Sequence, residues 1–180
     1  MLSTERLRLR QWREEDLAPF AVMNGDADVM RYFPSISTRA ESDETYDRLY
    51  RHIDEHGFGF WAAELIETGD FIGFIGMQHC EYLPSGSAIE IGWRLDKNYW
   101  GQGLAPEGAR ACLAYAFSKL SLDEVVSFTA HTNEPSMRVM EKIGMRRDRS
   151  RDFDHPMVAE ETGLMPHVFY AIGKSDPIGR

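Results

Sequence analysis

Apolar and polar positions alternate near the start of the chain, where Leu7 and Leu9 stand between Arg6, Arg8 and Arg10, and this period of two predicts a short strand with one buried face. Glu14, Glu15 and Asp16 then open a helix with Leu17, Phe20 and Ala21 on its apolar side, acidic residues suiting a first turn because they face the positive end of the dipole. Over 41–56 the spacing lengthens, and Tyr46, Leu49, Tyr50 and Ile53 mark a second helix that Gly57 stops. Residues 58–65 and 71–78 read as two strands joined by the turn residues Glu67, Thr68, Gly69 and Asp70. Pro84, Ser85 and Gly86 make another turn before a strand over 88–95. The clearest helical stripe is Ala109, Cys112, Leu113, Ala116 and Phe117, with Pro106 expected at the first helical position. A β-branched and aromatic strand over 125–129 follows, then a helix over 135–143 with Val139, Met140 and Ile143 inward, and a last strand over 167–172. The order β-α-α-β-β-β-α-β-α-β predicts an α/β (α+β) layout, an antiparallel meander feeding one parallel crossover, with no repeat or linker to split a single domain over 1–180.

Composition narrows the class. The formal net charge of −9 disfavours a phosphate backbone as partner, so no nucleic acid is expected, and it favours cationic acceptors such as amines. No apolar run approaches the roughly 18 residues of a membrane span. The first residues carry charges where a secretory signal is apolar, which predicts a cytoplasmic protein without a membrane partner. Cys80 and Cys112 suit a reducing compartment, and neither they nor His79 and His131 show metal-ligand spacing, so no metal is expected. Cys112 lies on the apolar stripe and reads as an inert core residue rather than an acyl carrier.

The chemistry concentrates between 89 and 107. A strand ends at Trp93-Arg94-Leu95, Gly101 and Gly103 punctuate a turn, and a helix begins near Pro106. Backbone N–H groups at a helix start are unpaired and add to the positive dipole end, and glycines leave room for a phosphate, so the segment reads either as an anion cradle or as a tight connection. It lacks the Gly-Lys-Ser/Thr ending of a P-loop, and Pro106 stands where the third glycine of a dinucleotide fingerprint would fall. Glu90 sits between Ile89 and Ile91 in a strand expected to be central, where a carboxylate must be paired, bridged by water or protonated. Either it serves as a general base with a raised pKa, or it holds Arg94 or an incoming ammonium electrostatically.

The run Trp100-Gly101-Gln102-Gly103-Leu104-Ala105 resembles the coenzyme A-binding motif of the GNAT N-acetyltransferases, Gln/Arg-x-x-Gly-x-Gly/Ala, with Trp100 in the first slot as in the RimJ/RimL-like subgroup. Asn133-Glu134-Pro135-Ser136 followed by Glu141-Lys142-Ile143-Gly144-Met145 is similar to a second family signature, and Thr4 to Arg10 and His167 to Tyr170 fit the same subgroup. The resemblance implies a GNAT-like fold, a mixed, mostly antiparallel central sheet flanked by helices. It also implies acetyl-CoA as co-substrate and direct acetyl transfer to a primary amine on a protein N-terminus or a small molecule.

On that resemblance Trp93, Arg94 and Leu95 offer backbone groups to the pantetheine arm. Gly101, Gln102, Gly103, Leu104 and Ala105 hold the pyrophosphate, and Asn133 bonds the pantetheine amides unless it serves as a helix cap. Many relatives carry a tyrosine acid where this chain has Met140, so Ser136 is the candidate to assist the leaving thiolate, or else a helix-start cap. Tyr32, Phe33, Trp61 and Tyr82 are candidates for an aromatic acceptor wall, with core packing as the alternative, and residues 30–57 are expected to cover the acceptor site. A homodimer is compatible with the resemblance, and Met140 leaves open a non-catalytic acyl-CoA-binding or sensing module of the same fold.

Overall fold

The computed structural model describes residues 1–179. Its regular elements are β1 (Leu2–Ser3), β2 (Leu7–Arg10), α1 (Leu17–Asn24), α2 (Arg39–His56), β3 (Phe60–Leu65), β4 (Phe71–Cys80), β5 (Ala88–Leu95), α3 (Leu104–Ser118), β6 (Glu124–Ala130), α4 (Glu134–Lys142), β7 (Arg146–Arg147), β8 (Phe153–Asp154) and β9 (Pro166–Gly173). The strands form one sheet in the order β1-β2-β3-β4-β5-β6-β9-β7, with β8 also on β9, and every pairing is antiparallel except β5 with β6.

β4 is buried along most of its length because both faces of the sheet are covered there. Phe74 packs against Phe20 of α1, with ring centroids 6.2 Å apart. Its neighbour Ile75 lies so close to α3 that a Cβ on Gly108 would come within 2.5 Å of its Cδ1. Successive strand residues point to opposite faces, so α1 and α3 clamp the sheet between them. Trp12 anchors one layer among Phe20, Tyr46 and Phe71, and Trp61 anchors the other against Tyr115.

Several boundaries depart from the periodicity. The acidic triplet forms a single 3₁₀ turn and α1 starts only at Leu17. Asp16 is buried, with its carboxylate taken by Arg10 at 2.7 and 2.9 Å and by the Arg13 amide at 2.8 Å. α2 starts two residues early because Thr38 and Glu41 form a reciprocal capping box, and Gly57 closes it as expected. Pro106 is the third residue of α3, not the first, still within the turn whose N–H groups have no helical partner. β3 begins at Phe60, β4 runs on to Cys80, and β1, β7 and β8 are too short to leave a periodic signal.

Candidate active site

The parallel pair is where the sheet opens. The ladder between β5 and β6 registers at the single pair Glu90–Val126, whereas β6 stays paired to β9 through Ala130. Past that point the strands diverge and leave a cavity of about 740 Å³. Trp93, Arg94 and Leu95 line one wall and Phe128, Thr129 and Ala130 the other. The crossover helix α3 and the following α4 both start beside it, so Gly103, Leu104 and Ala105 face Asn133 and Ser136 across the opening.

The two helix starts differ. α3 is capped by Gly103 at φ +78° with no side-chain cap, and a left-handed turn of this kind is natural for glycine. The amides of its first turn are therefore left for an external acceptor, which is the arrangement of an anion site. Glu107 in that turn would oppose an anion, but it is held elsewhere. Thr4 donates to it at 2.5 Å and Arg6 pairs with it at 2.6 Å. Although burial pushes the Glu107 pKa up, these partners keep it below the ordinary value. α4 is capped internally. Asn133 Oδ1 accepts from the Ser136 amide at 3.3 Å and Asn133 Nδ2 donates to Thr129 at 2.8 Å. Asn133 thus fills the cap role and the Ser136 hydroxyl does not, and that hydroxyl lines the cavity with no hydrogen bond among the described residues. Met140 is buried, which fixes the tyrosine slot of the family pattern as core.

Glu90 marks the other end of the cavity. Gln78 donates to its Oε2 at 3.3 Å, and it is half-buried in the wall of the cavity that Tyr82, Phe128, His155 and His167 also line. Loss of hydration pushes its pKa up to about 7, against the pull of the Gln78 amide and of the Arg48 charge. The alternative pairing with Arg94 is not formed. Arg94 Nη1 donates to Asn24 at 2.8 Å and its guanidinium lies 4.0 Å from the Phe33 ring centroid, so this side chain pins the segment after α1 over the cavity. Burial first, then Arg48, lowers the Arg94 pKa to about 10.

Among the residues singled out from the sequence, Glu90, Trp93, Arg94, Leu95, Gly101, Gly103, Leu104, Ala105, Asn133 and Ser136 line this one cavity. Gln102 does not. Its carbonyl accepts from Arg6 at 3.0 Å and its side chain donates to Asn98 at 3.1 Å. The Leu95 carbonyl is also engaged, accepting from the Trp100 indole at 2.8 Å, which gives Trp100 a role in fixing the turn. Tyr32, Phe33 and Tyr82 reach the cavity, whereas Trp61 is core, 2% exposed. Residues 31–34, Thr45 and Arg48 line the cavity, with Phe33 against the Arg94 guanidinium. His131 and His79 are not in the wall, and His155 and His167 are. Sequence reasoning missed His155 because it lies in a stretch without periodicity, and it read His167 as part of the last strand without a place in the cavity. His155 contacts the Tyr82 hydroxyl at 3.2 Å, and burial with His167 nearby pushes its pKa down to about 4. His79, for which spacing offered no partner, meets His52 and His56 in space. Cys112 is buried with its thiol pKa pushed up by desolvation, as an inert core residue should be.

The model of the acetyltransferase (GNAT) domain family matches residues 6–146. An uncharacterized protein of Bacillus subtilis, YkkB, is 32% identical over 162 residues, covering 89% of this chain and 94% of its own. Among solved structures, a GNAT-family acetyltransferase from Bacillus anthracis is 28% identical at a TM-score of 0.79, covering 96% of this chain and 98% of that one. A spermidine N-acetyltransferase from Vibrio cholerae, solved with CoA and spermine, has the same fold at a TM-score of 0.72 and 19% identity over 94% of this chain and 96% of that one. The fold is the GNAT fold. This chain belongs to the GNAT acetyltransferase family and is an N-acetyltransferase by that membership.

Proposed function

We propose that the chain transfers the acetyl group of acetyl-CoA directly to a primary amine in the cavity between β5 and β6. The observation that carries this is one continuous cavity with an uncapped helix start at one end and a carboxylate poised near neutrality at the other. The pyrophosphate is held by the amides of Gly103, Leu104 and Ala105, and the pantetheine arm runs along the free edge of β5 from Trp93 to Leu95. The amine comes in from the side covered by 31–34, as a protein N-terminus or small molecule, and Glu90 takes its proton, directly or through water. The amine nitrogen attacks the thioester carbonyl, β5 amides stabilise the oxyanion, and collapse breaks the C–S bond with Ser136 assisting the departing thiolate. The Trp-Gly-x-Gly-x-Ala run supports placement in the RimJ/RimL-like subgroup, the acidic net charge supports a cationic acceptor, and the free thiols of Cys80 and Cys112 support a cytoplasmic location.

The test is calorimetric titration with acetyl-CoA of the wild type and of Gly103→Glu, then an amine panel read by thiol release. Gly103→Glu sets a carboxylate where the phosphate binds, on a left-handed residue whose Cβ would lie 3.7 Å from Arg6. Binding is expected in the wild type and lost in the variant, with the circular-dichroism spectrum unchanged. Equal affinity in both would sink the cradle. Tight binding without turnover on any amine would convert the reading to a binding module.

A further inference from the structure

We propose that His52, His56 and His79 form a binding site for a first-row divalent transition metal, zinc above all, that clips α2 to β4 beside the cavity. His52 and His56 are four residues apart on α2 and so share one helix face, while His79 is contributed by the end of β4. One ring nitrogen from each lies within 4.8 Å of the other two. The ring centroids are 4.5, 5.6 and 4.7 Å apart, a crowding of three polar groups that make no hydrogen bonds to one another.

A second observation points to a ligand. His52 Nε2 is buried and has no hydrogen-bond partner, an unsatisfied polar atom that native structures rarely keep without a use.

The donor set selects the metal. Three imidazoles suit zinc, nickel or copper, whereas magnesium and calcium want oxygen. Nitrogens about 3.4 Å apart would satisfy tetrahedral zinc at its usual bond length, so the rings must close by roughly an ångström. His56 and His79 are both exposed and have the freedom to do so, and a fourth position stays open to solvent. The site adjoins the cavity through α2, since Arg48, one helical turn before His52 on the same face, lines that cavity. Metal binding would therefore fix the wall around Glu90, although the site itself stands whatever reaction the cavity performs.

The experiment uses the full chain without a histidine tag, stripped by chelator, then titrated with zinc by calorimetry and with cobalt by visible absorption. One metal per chain is expected, with cobalt bands of tetrahedral intensity and a zinc-induced rise in melting temperature. His56→Ala and His79→Ala change exposed positions, so melting in chelator should match the wild type while zinc affinity falls by roughly tenfold or more in each. No saturable zinc binding at micromolar free metal would overturn the site, as would affinity unchanged in either variant.

Discussion

At the residue scale the cavity turns on Glu90. A strand carboxylate between two isoleucines is legible in the sequence as an anomaly, and the structure gives it a hydrogen bond from Gln78 and the nearby Arg48 charge at the cavity wall. The choice between base and ion-pair partner was not legible, because the destination of Arg94 depends on Asn24 and Phe33, 70 and 61 positions away in sequence. Glu90→Gln should lower kcat by roughly 10²- to 10⁴-fold, and the wild-type rise in rate as pH passes through about 7 should vanish in the variant. The same change should raise the melting temperature at neutral pH. A carboxyl whose folded pKa is raised destabilises the fold progressively as pH climbs from its unfolded value to its folded one, and glutamine removes that ionisation. A Glu90→Gln enzyme with wild-type rate and pH profile would remove Glu90 from the chemistry.

At the element scale the cavity follows from which helix starts are capped. The glycine turn and the Asn-x-x-Ser start could be read from sequence as places where backbone amides are exposed. Sequence could not say that α3 is left open and α4 closed, since that depends on Asn133 reaching Ser136 and Thr129. The clamp of Thr4 and Arg6 on Glu107 was equally hidden, because it joins positions about a hundred residues apart. Asn133 can be tested in both roles at once. Asn133→Ala should cost about 1 kcal/mol in urea denaturation, the usual loss for an N-cap. Asn133→Asp keeps the cap acceptor and should recover that stability. If Asp restores stability but not acetyl-CoA affinity, the amide N–H of Asn133 contacts the co-substrate. If affinity returns with stability, Asn133 acts through the cap alone.

At the scale of the whole molecule the strands and helices were largely legible, since a meander of alternating residues and two striped helices leave few arrangements. The ties that hold its N-terminal part in register were less so. Arg10 is 4% exposed and bonds Asp16 at 2.7 Å and Glu64 at 2.6 Å, joining β2, the turn before α1, and β3. In the sequence Arg10 looks like one more polar position of an amphipathic strand. Burial pushes the Glu64 pKa up, but Arg10 and then Arg8 outweigh it and hold the carboxyl below its ordinary value. Arg10→Met should destabilise the protein by about 3–5 kcal/mol at neutral pH, because two carboxylates then stay buried with their shared partner gone. The sign of the pH dependence follows from Glu64. A depressed folded pKa contributes stability that is complete above the unfolded value and lost as pH falls through the folded one. Acidification should therefore cost the wild type more than the variant. The gap between their urea midpoints, measured at neutral pH and again near about pH 4, should narrow. A gap that stays constant would mean that Arg10 stabilises by packing its aliphatic stem rather than by its charge.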